Sequence, residues 1–202
     1  MRRFGVDPSL IDVILVSHLH GDHFGGLPFF IMDANYASCR TKPLTIAGPP
    51  GLEARVLEAM EVMFPGSSQA SNTFDLRFVE LPEAAATGIP PLAVTPYRVE
   101  HPSGARAYAL RILLEDKILA YSGDTEWTEA LFLVSRDADL FVCECTHFEN
   151  ASGHHLDYET LMSHRTQLGC DRIILTHMNG DMLQRIGNLD IESAEDGKTV
   201  TL

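Results

Sequence analysis

The segment Ser17-His18-Leu19-His20-Gly21-Asp22-His23-Phe24-Gly25-Gly26 constrains this chain more than any other. Three of the nine histidines, with an aspartate among them, fall within six residues. Imidazole suits Zn, Fe, Mn or Ni, and a carboxylate adds a hard anionic oxygen. On an extended backbone His18 and His20 point the same way and grip one ion. Asp22 and His23 follow the Gly21 turn and face a second. A solvated, His-rich surface loop is the bland alternative, but here the ligand types are interleaved with apolar Leu19 and Phe24.

The rest of the chain repeats this arrangement at strand ends. Ile14-Leu15-Val16-Ser17 runs into His18, and Tyr97-Arg98-Val99-Glu100 into His101. Leu119-Ala120-Tyr121-Ser122-Gly123 runs into Asp124, and Ile173-Ile174-Leu175-Thr176 into His177. Ligand sites in α/β folds gather at the carboxyl ends of strands. Taken singly, His101 and His177 also read as satisfied buried histidines, and Asp124 as a helix cap at Thr125.

Short β-branched runs alternate with helical periods, which reads as α/β. Strands are expected at Val13–Val16, Leu44–Ala47, Leu76–Glu80, Leu92–Val99, Ala107–Leu114, Ile118–Tyr121, Leu140–Cys143 and Arg172–Leu175, with Lys198–Leu202 as a final edge. Leu52, Val56, Leu57, Met60 and Met63 share one helical face, stopped by Pro65-Gly66. A second helix starts after Asp157 and ends before Gly169, a third spans Thr125–Ser135, and a fourth begins near Asp22. Gly66–Asn72 and Glu83–Pro91 read as loops. The length fits one domain over residues 1–202. A hydrophobic fraction of 45% supplies a core, while 15 basic against 28 acidic residues give a net charge of −13. That balance disfavours a binder of long nucleic acid, which needs clustered cations. There is no apolar run of membrane-spanning length. The N-terminus shows no signal core, and the four cysteines have no disulfide spacing, so a cytoplasmic setting is expected.

His18-x-His20-x-Asp22-His23, then His101, Ser122-Gly123-Asp124-Thr125 and Leu175-Thr176-His177, resemble the successive motifs of the metallo-β-lactamase superfamily. The resemblance runs from about Val6 to the C-terminus. Gly153-His154-His155-Leu156-Asp157-Tyr158 resembles the branch that holds ribonuclease Z, arylsulfatase-like proteins and phosphodiesterases. His101-Pro102-Ser103-Gly104 departs from the Pro-Gly-His-Thr of the β-lactamase and glyoxalase II branches. The resemblance implies an αββα sandwich of two mixed β-sheets with helices on the outer faces. It is shortened at the N-terminus, where 17 residues precede His18 and the family carries further strands. An exposed sheet edge of that kind invites a homodimer.

The resemblance also implies a division of ligands. His18, His20 and His101 bind one divalent ion, Asp22, His23 and His177 bind the other, and Asp124 bridges them. Zn is the expected metal, and Mn or Fe fit the same ligand types. Two such ions with Asp22, Asp124 and a bridging hydroxide leave the site at about +1, which draws in a small anion locally. The expected reaction is hydrolysis of a phosphodiester by a metal-bound hydroxide. An ester, thioester or lactone hydrolase with the same site is the alternative, as is a truncated metal-binding remnant without catalysis. His155 is the candidate general acid, with His154 as the competing choice. Glu144 is placed to orient His155, since strand alternation sets it opposite Cys143 and Cys145. The two cysteines read as buried small hydrophobes. His147 and His164 read as surface or helix-face residues, Trp127 as packing at the site rim, and Asp190–Asp196 as a solvated turn.

Overall fold

The computed structural model describes residues 1–149 and 153–202. It divides into two compact units: Met1–Leu81 with Ser103–Ala105, and Pro82–Pro102 with Arg106–Leu202.

The first unit carries a three-stranded parallel sheet in the order β1 (Val13–Leu15), β2 (Leu44–Gly48) and β3 (Leu76–Glu80). Along β2 only Thr45 is not fully buried, the pattern of a central parallel strand. Helices α1 (Gly21–Phe24) and α2 (Leu27–Tyr36) follow β1, and α3 (Leu52–Met63) follows β2. Leu52, Val56 and Met60 bury the predicted face of α3 against Leu44, Ile46 and Ile31. Met63, expected on that face, is exposed. Gly48 permits a close approach: a Cβ there would lie 2.8 Å from the Val16 carbonyl oxygen. The chain leaving β1 therefore runs tight against β2, with the Val16 amide donating to the Ala47 carbonyl at 2.8 Å. Arg40 is buried and fastens the approach to β1. Its guanidinium donates to the carbonyls of Lys42 (2.7 Å), Pro8 (3.1 Å), Ile11 (2.6 Å) and Pro43 (2.7 Å).

The second unit carries a seven-stranded mixed sheet. Its strands are β4 (Thr87–Ile89), β5 (Leu92–Val99), β6 (Ala107–Leu114), β7 (Lys117–Tyr121), β8 (Leu140–Glu144), β9 (Ile173–Thr176) and β10 (Glu192–Ser193). They pair in sequence order, antiparallel from β4 to β7 and parallel from β7 to β10. Because β6 opposes both β5 and β7, strands β5, β7, β8 and β9 all run in one direction. Their carboxyl ends therefore share one edge of the sheet. The remaining helices are α4 (Ala130–Ser135), α5 (Tyr158–His164) and α6 (Gly180–Arg185). Leu131, Val134, Phe141, Leu161, Leu175 and Met182 bring these helices and strands into one core.

Several expectations are corrected. Mixed pairing belongs to the larger sheet alone. Glu83–Pro91 is not only loop, since Thr87–Ile89 adds an edge strand through Gly88↔Ala93. The opposite edge is Glu192–Ser193, inside the stretch expected to be a solvated turn. Arg172 and Lys198 both reach Glu192 at 2.7 Å, which neutralises it there. Among the described residues, Lys198–Leu202 forms no strand. The expected third helix covers only Ala130–Ser135. Among the described residues, no helix is long and apolar enough to cross a membrane.

Candidate metal centre

In the first unit, the chain leaves β1 extended and enters α1 with His20 at the N-cap. The amides of His23 and Phe24 both donate to the His20 carbonyl, at 3.0 and 3.2 Å. This turn gathers the three imidazoles. His18 lies 4.9 Å from His20 and 4.1 Å from His23 between ring centroids. Asp22 Oδ2 sits 3.3 Å from His23 Nε2. His18 is fully buried and Ser17 Oγ holds its Nδ1 at 3.1 Å.

In the second unit the shared strand edge collects the other predicted residues. His101 follows β5, Asp124 follows β7, Glu144 ends β8 and His177 follows β9. Asp124 is buried, with its Oδ2 3.3 Å from His177 Nε2 and 3.9 Å from His101 Nε2. It does not cap a helix, because α4 begins only at Ala130. The Thr125 amide instead donates to Glu144 Oε1 at 2.5 Å. His155 joins the cluster from the segment before α5. Its ring stacks on His177 at 5.3 Å and meets His101 at 5.0 Å. One donor atom each from His101, Asp124 and His155 lie within 4.8 Å of one another, as do those of Glu144, His155 and His177.

Glu144 is fully buried. Its carboxylate accepts from Thr125 N, from Thr146 Oγ1 at 2.8 Å and from Leu156 N at 3.3 Å, and lies 3.2 Å from His155 Nδ1. Burial pushes its pKa up to about 8, against the pull of those donors. Burial also holds His155 below its ordinary value; Asp124 opposes this, and the imidazoles of His101 and His177 reinforce it. His154, the competing candidate, is exposed and contributes its backbone. Its carbonyl accepts from His101 Nδ1 at 2.8 Å. Cys143 and Cys145 are buried, and burial raises both thiols, Cys145 to about 12.

The donor chemistry suits a divalent metal, and tautomers support it. A carbonyl only accepts, so His101 carries its proton on Nδ1 and its lone pair on Nε2. His177 repeats this through Thr146 Oγ1, which stands 2.9 Å from its Nδ1 and 2.8 Å from Glu144 Oε2. The hydroxyl has one proton and two acceptors in reach besides the imidazole, Glu144 Oε2 and the His177 carbonyl at 2.9 Å, which leaves a lone pair to accept from Nδ1–H. Outer oxygens that fix an imidazole in this way are the usual companions of metal-ligating histidines. Thr146 was missed by the sequence reading. Its one signal is its position two residues after Glu144, on the same side of an extended chain. His177 also adopts φ 56, the left-handed region, which marks a constrained residue at the end of β9.

The chain matches the family model "Anti-Pycsar protein Apyc1" over residues 1–195. Ribonuclease Z of Shouchella clausii is 36% identical over 109 residues, which is 54% of this chain and 32% of that protein. The match thus spans about a third of that relative's length. The metallo-β-lactamase fold protein YhfI from Bacillus subtilis superposes with a TM-score of 0.67 at 20% identity, covering 96% of this chain and 78% of that one. Human tRNase Z, short form, gives a TM-score of 0.72 at 20% identity, covering 97% and 81%. Both likenesses carry the fold expected from the motifs. The chain belongs to the Anti-Pycsar protein Apyc1 family and has the metallo-β-lactamase fold of the structures it superposes on.

Proposed function

We propose that this chain hydrolyses a phosphodiester in a small anionic substrate at a dinuclear metal centre. The ligands are His18, His20 and His101 for one ion, Asp22, His23 and His177 for the other, and Asp124 between them. Zn is the expected metal, and Mn or Fe suit the same donors. When bound, the ions supply Lewis acidity and a hydroxide nucleophile at neutral pH. Asp22 and Asp124 set the charge of the site. The observation that carries the reading is the delivery of His101, Asp124, Glu144 and His177 by four strand ends on one edge, with His155 among them.

The leaving oxygen needs a proton. His155 Nδ1 and Glu144 lie 3.2 Å apart, with the carboxyl raised to about 8 and the imidazole lowered. Near neutral pH the pair therefore holds one proton between them. With Glu144 on Nδ1, the opposite ring nitrogen of His155 faces the task of general acid. Glu144 is a positioning residue, locked by Thr125, Thr146 and Leu156.

The test combines metal analysis with two chromogenic substrates. Close to two metals per chain are expected in the wild type, and fewer in Asp124→Ala. Bis(4-nitrophenyl) phosphate is expected to be cleaved faster than 4-nitrophenyl acetate. Full metal retention by Asp124→Ala removes the bridging role, and a preference for the acetate replaces the phosphodiesterase with an ester hydrolase.

A further inference from the structure

Three consecutive residues cross the carboxyl edge of the larger sheet. The His154 carbonyl accepts from His101 Nδ1 at 2.8 Å, His155 Nδ1 lies 3.2 Å from Glu144 Oε1, and the Leu156 amide donates to Glu144 Oε2 at 3.3 Å. His101 follows β5 and Glu144 ends β8, so this short peptide ties together two strand ends that stand three places apart in the sheet. Both ends of the crossing are firmly held. The His101 side chain is only 3% exposed. Leu156 is buried, and its carbonyl accepts from the amides of Thr146 at 3.1 Å and His147 at 3.3 Å.

The crossing depends on an uncommon backbone. Gly153 and His154 have φ values of 59 and 74, both in the left-handed region. Glycine adopts that region freely, and His, Asn and Asp are the side chains enriched there, whereas a β-branched residue is a clear outlier. The left-handed turn at His154 aims its carbonyl at the His101 ring, while its own imidazole stays exposed.

We propose that His154 is a positioning residue that acts through its main chain: Gly153–Leu156 is a strap that fixes the His101 imidazole for the metal and, one residue later, presents His155 as the general acid. This rests on the metal-centre reading above and deepens it, since a ligand and the acid are set by one peptide. A carbonyl only accepts, so the contact keeps the His101 proton on Nδ1 and turns the Nε2 lone pair to the site. His154 thus serves the centre without its imidazole. Its side chain is free to vary as long as the left-handed backbone is kept.

Two variants separate backbone from side chain. His154→Asn removes the imidazole and keeps a residue at home in the left-handed region; His154→Val disfavours that conformation. Zn affinity is measured by competition against a chromophoric chelator. The tautomer of His101 is read by imidazole nitrogen NMR on the metal-free wild type, with His101→Gln identifying its resonances. The wild type is expected to carry the His101 proton on Nδ1. His154→Asn is expected to bind Zn close to wild type, and His154→Val about 10–100-fold more weakly, the range for groups that orient a metal-ligating histidine. A His101 proton on Nε2 in the wild type overturns the strap. So does a loss in His154→Asn as large as in His154→Val, which assigns the effect to the imidazole, or a valine variant that holds Zn as tightly as the wild type. A wild type with the proton on Nδ1 that binds no Zn refutes the metal centre and leaves the strap standing. Because the tautomer is read on the wild-type chain, a valine variant that misfolds does not decide the matter.

Discussion

Replacing Thr146 by valine tests the hydrogen-bonded support of the centre without changing its shape. The hydroxyl stands 2.8 Å from Glu144 Oε2, 2.9 Å from His177 Nδ1, 2.9 Å from the His177 carbonyl and 3.4 Å from His155 Nδ1. It has one proton and two lone pairs, so it gives to Glu144 or to the His177 carbonyl and accepts from His177 Nδ1. Thr146→Val removes one of three donors to a fully buried carboxylate and an acceptor that orients an imidazole. A hydrogen bond within the protein is worth about 0.5–1.5 kcal/mol, which sets the scale of the loss of stability for each bond removed. The effect on the site follows from the orientation of His177. Partners of this kind typically control metal affinity by about 10–100-fold. The assay is competition for Zn against a chromophoric chelator, which reads affinity independently of turnover. Thr146→Ser restores the hydroxyl and is expected to bind close to wild type. If Thr146→Val holds Zn as tightly as the wild type, or Thr146→Ser loses as much as valine does, the reasoning is wrong.

Other consequences follow from single residues. Arg40→Met fills the space yet leaves four carbonyls without their donor, at about 1–3 kcal/mol for each one kept from water; urea unfolding should show a loss near the top of the range for point variants. Glu144 binds its proton more tightly folded (about 8) than in an ordinary carboxyl (4.5), so the metal-free protein should lose stability as pH rises through that window. Glu144→Gln should flatten that slope in urea titrations with a chelator present at pH 5, 7 and 9; an unchanged slope would assign it to another group. A cationic RNA-binding track would raise affinity for a long oligonucleotide about 10³-fold or more between 200 and 50 mM salt. A flat response is expected here by fluorescence anisotropy, and a steep one would refute the small-substrate reading.

The larger elements were legible because their apolar runs are long and bounded. Leu92–Val99 and Ala107–Leu114 form over the expected spans, and they pair residue for residue, with Leu92 opposite Leu114. What was not legible has a local cause in each case. β4 is three residues with Gly88 at its centre, too short for alternation to register. β10 carries Glu192, whose charge reads as solvated until Arg172 and Lys198 are brought to it by the fold. Thr125–Glu129 does not form the helix predicted there: the Thr125 amide donates to Glu144 and the Glu126 amide to the Glu100 carbonyl. At the site, residue types after strand ends were readable. The role of Thr146 was not, since a hydroxyl acquires meaning only from the three groups that tertiary structure sets around it.

The charge of the chain bears on substrate size through where its cations are already committed. In the second unit Lys117 is 2.8 Å from Asp139, Arg185 is 3.0 Å from Asp181, and Arg172 shares Glu192 with Lys198. Arg111 donates to the carbonyls of Val134 and Arg136, fastening the end of α4 to β6. These cations hold strands and helix ends in place, and redirecting them to phosphates would cost the contacts that build the sheet. A long polyanion needs several such groups at once, because each phosphate is neutralised separately. A compact phosphodiester needs only the local positive charge that bound metals would bring, and attraction of that kind fades over about 10 Å at ordinary salt. Net charge and local site therefore act on different lengths: an overall charge of −13 disfavours a chain of phosphates, while the proposed metal centre at the histidine–aspartate end of the sheet would act on one phosphate at short range.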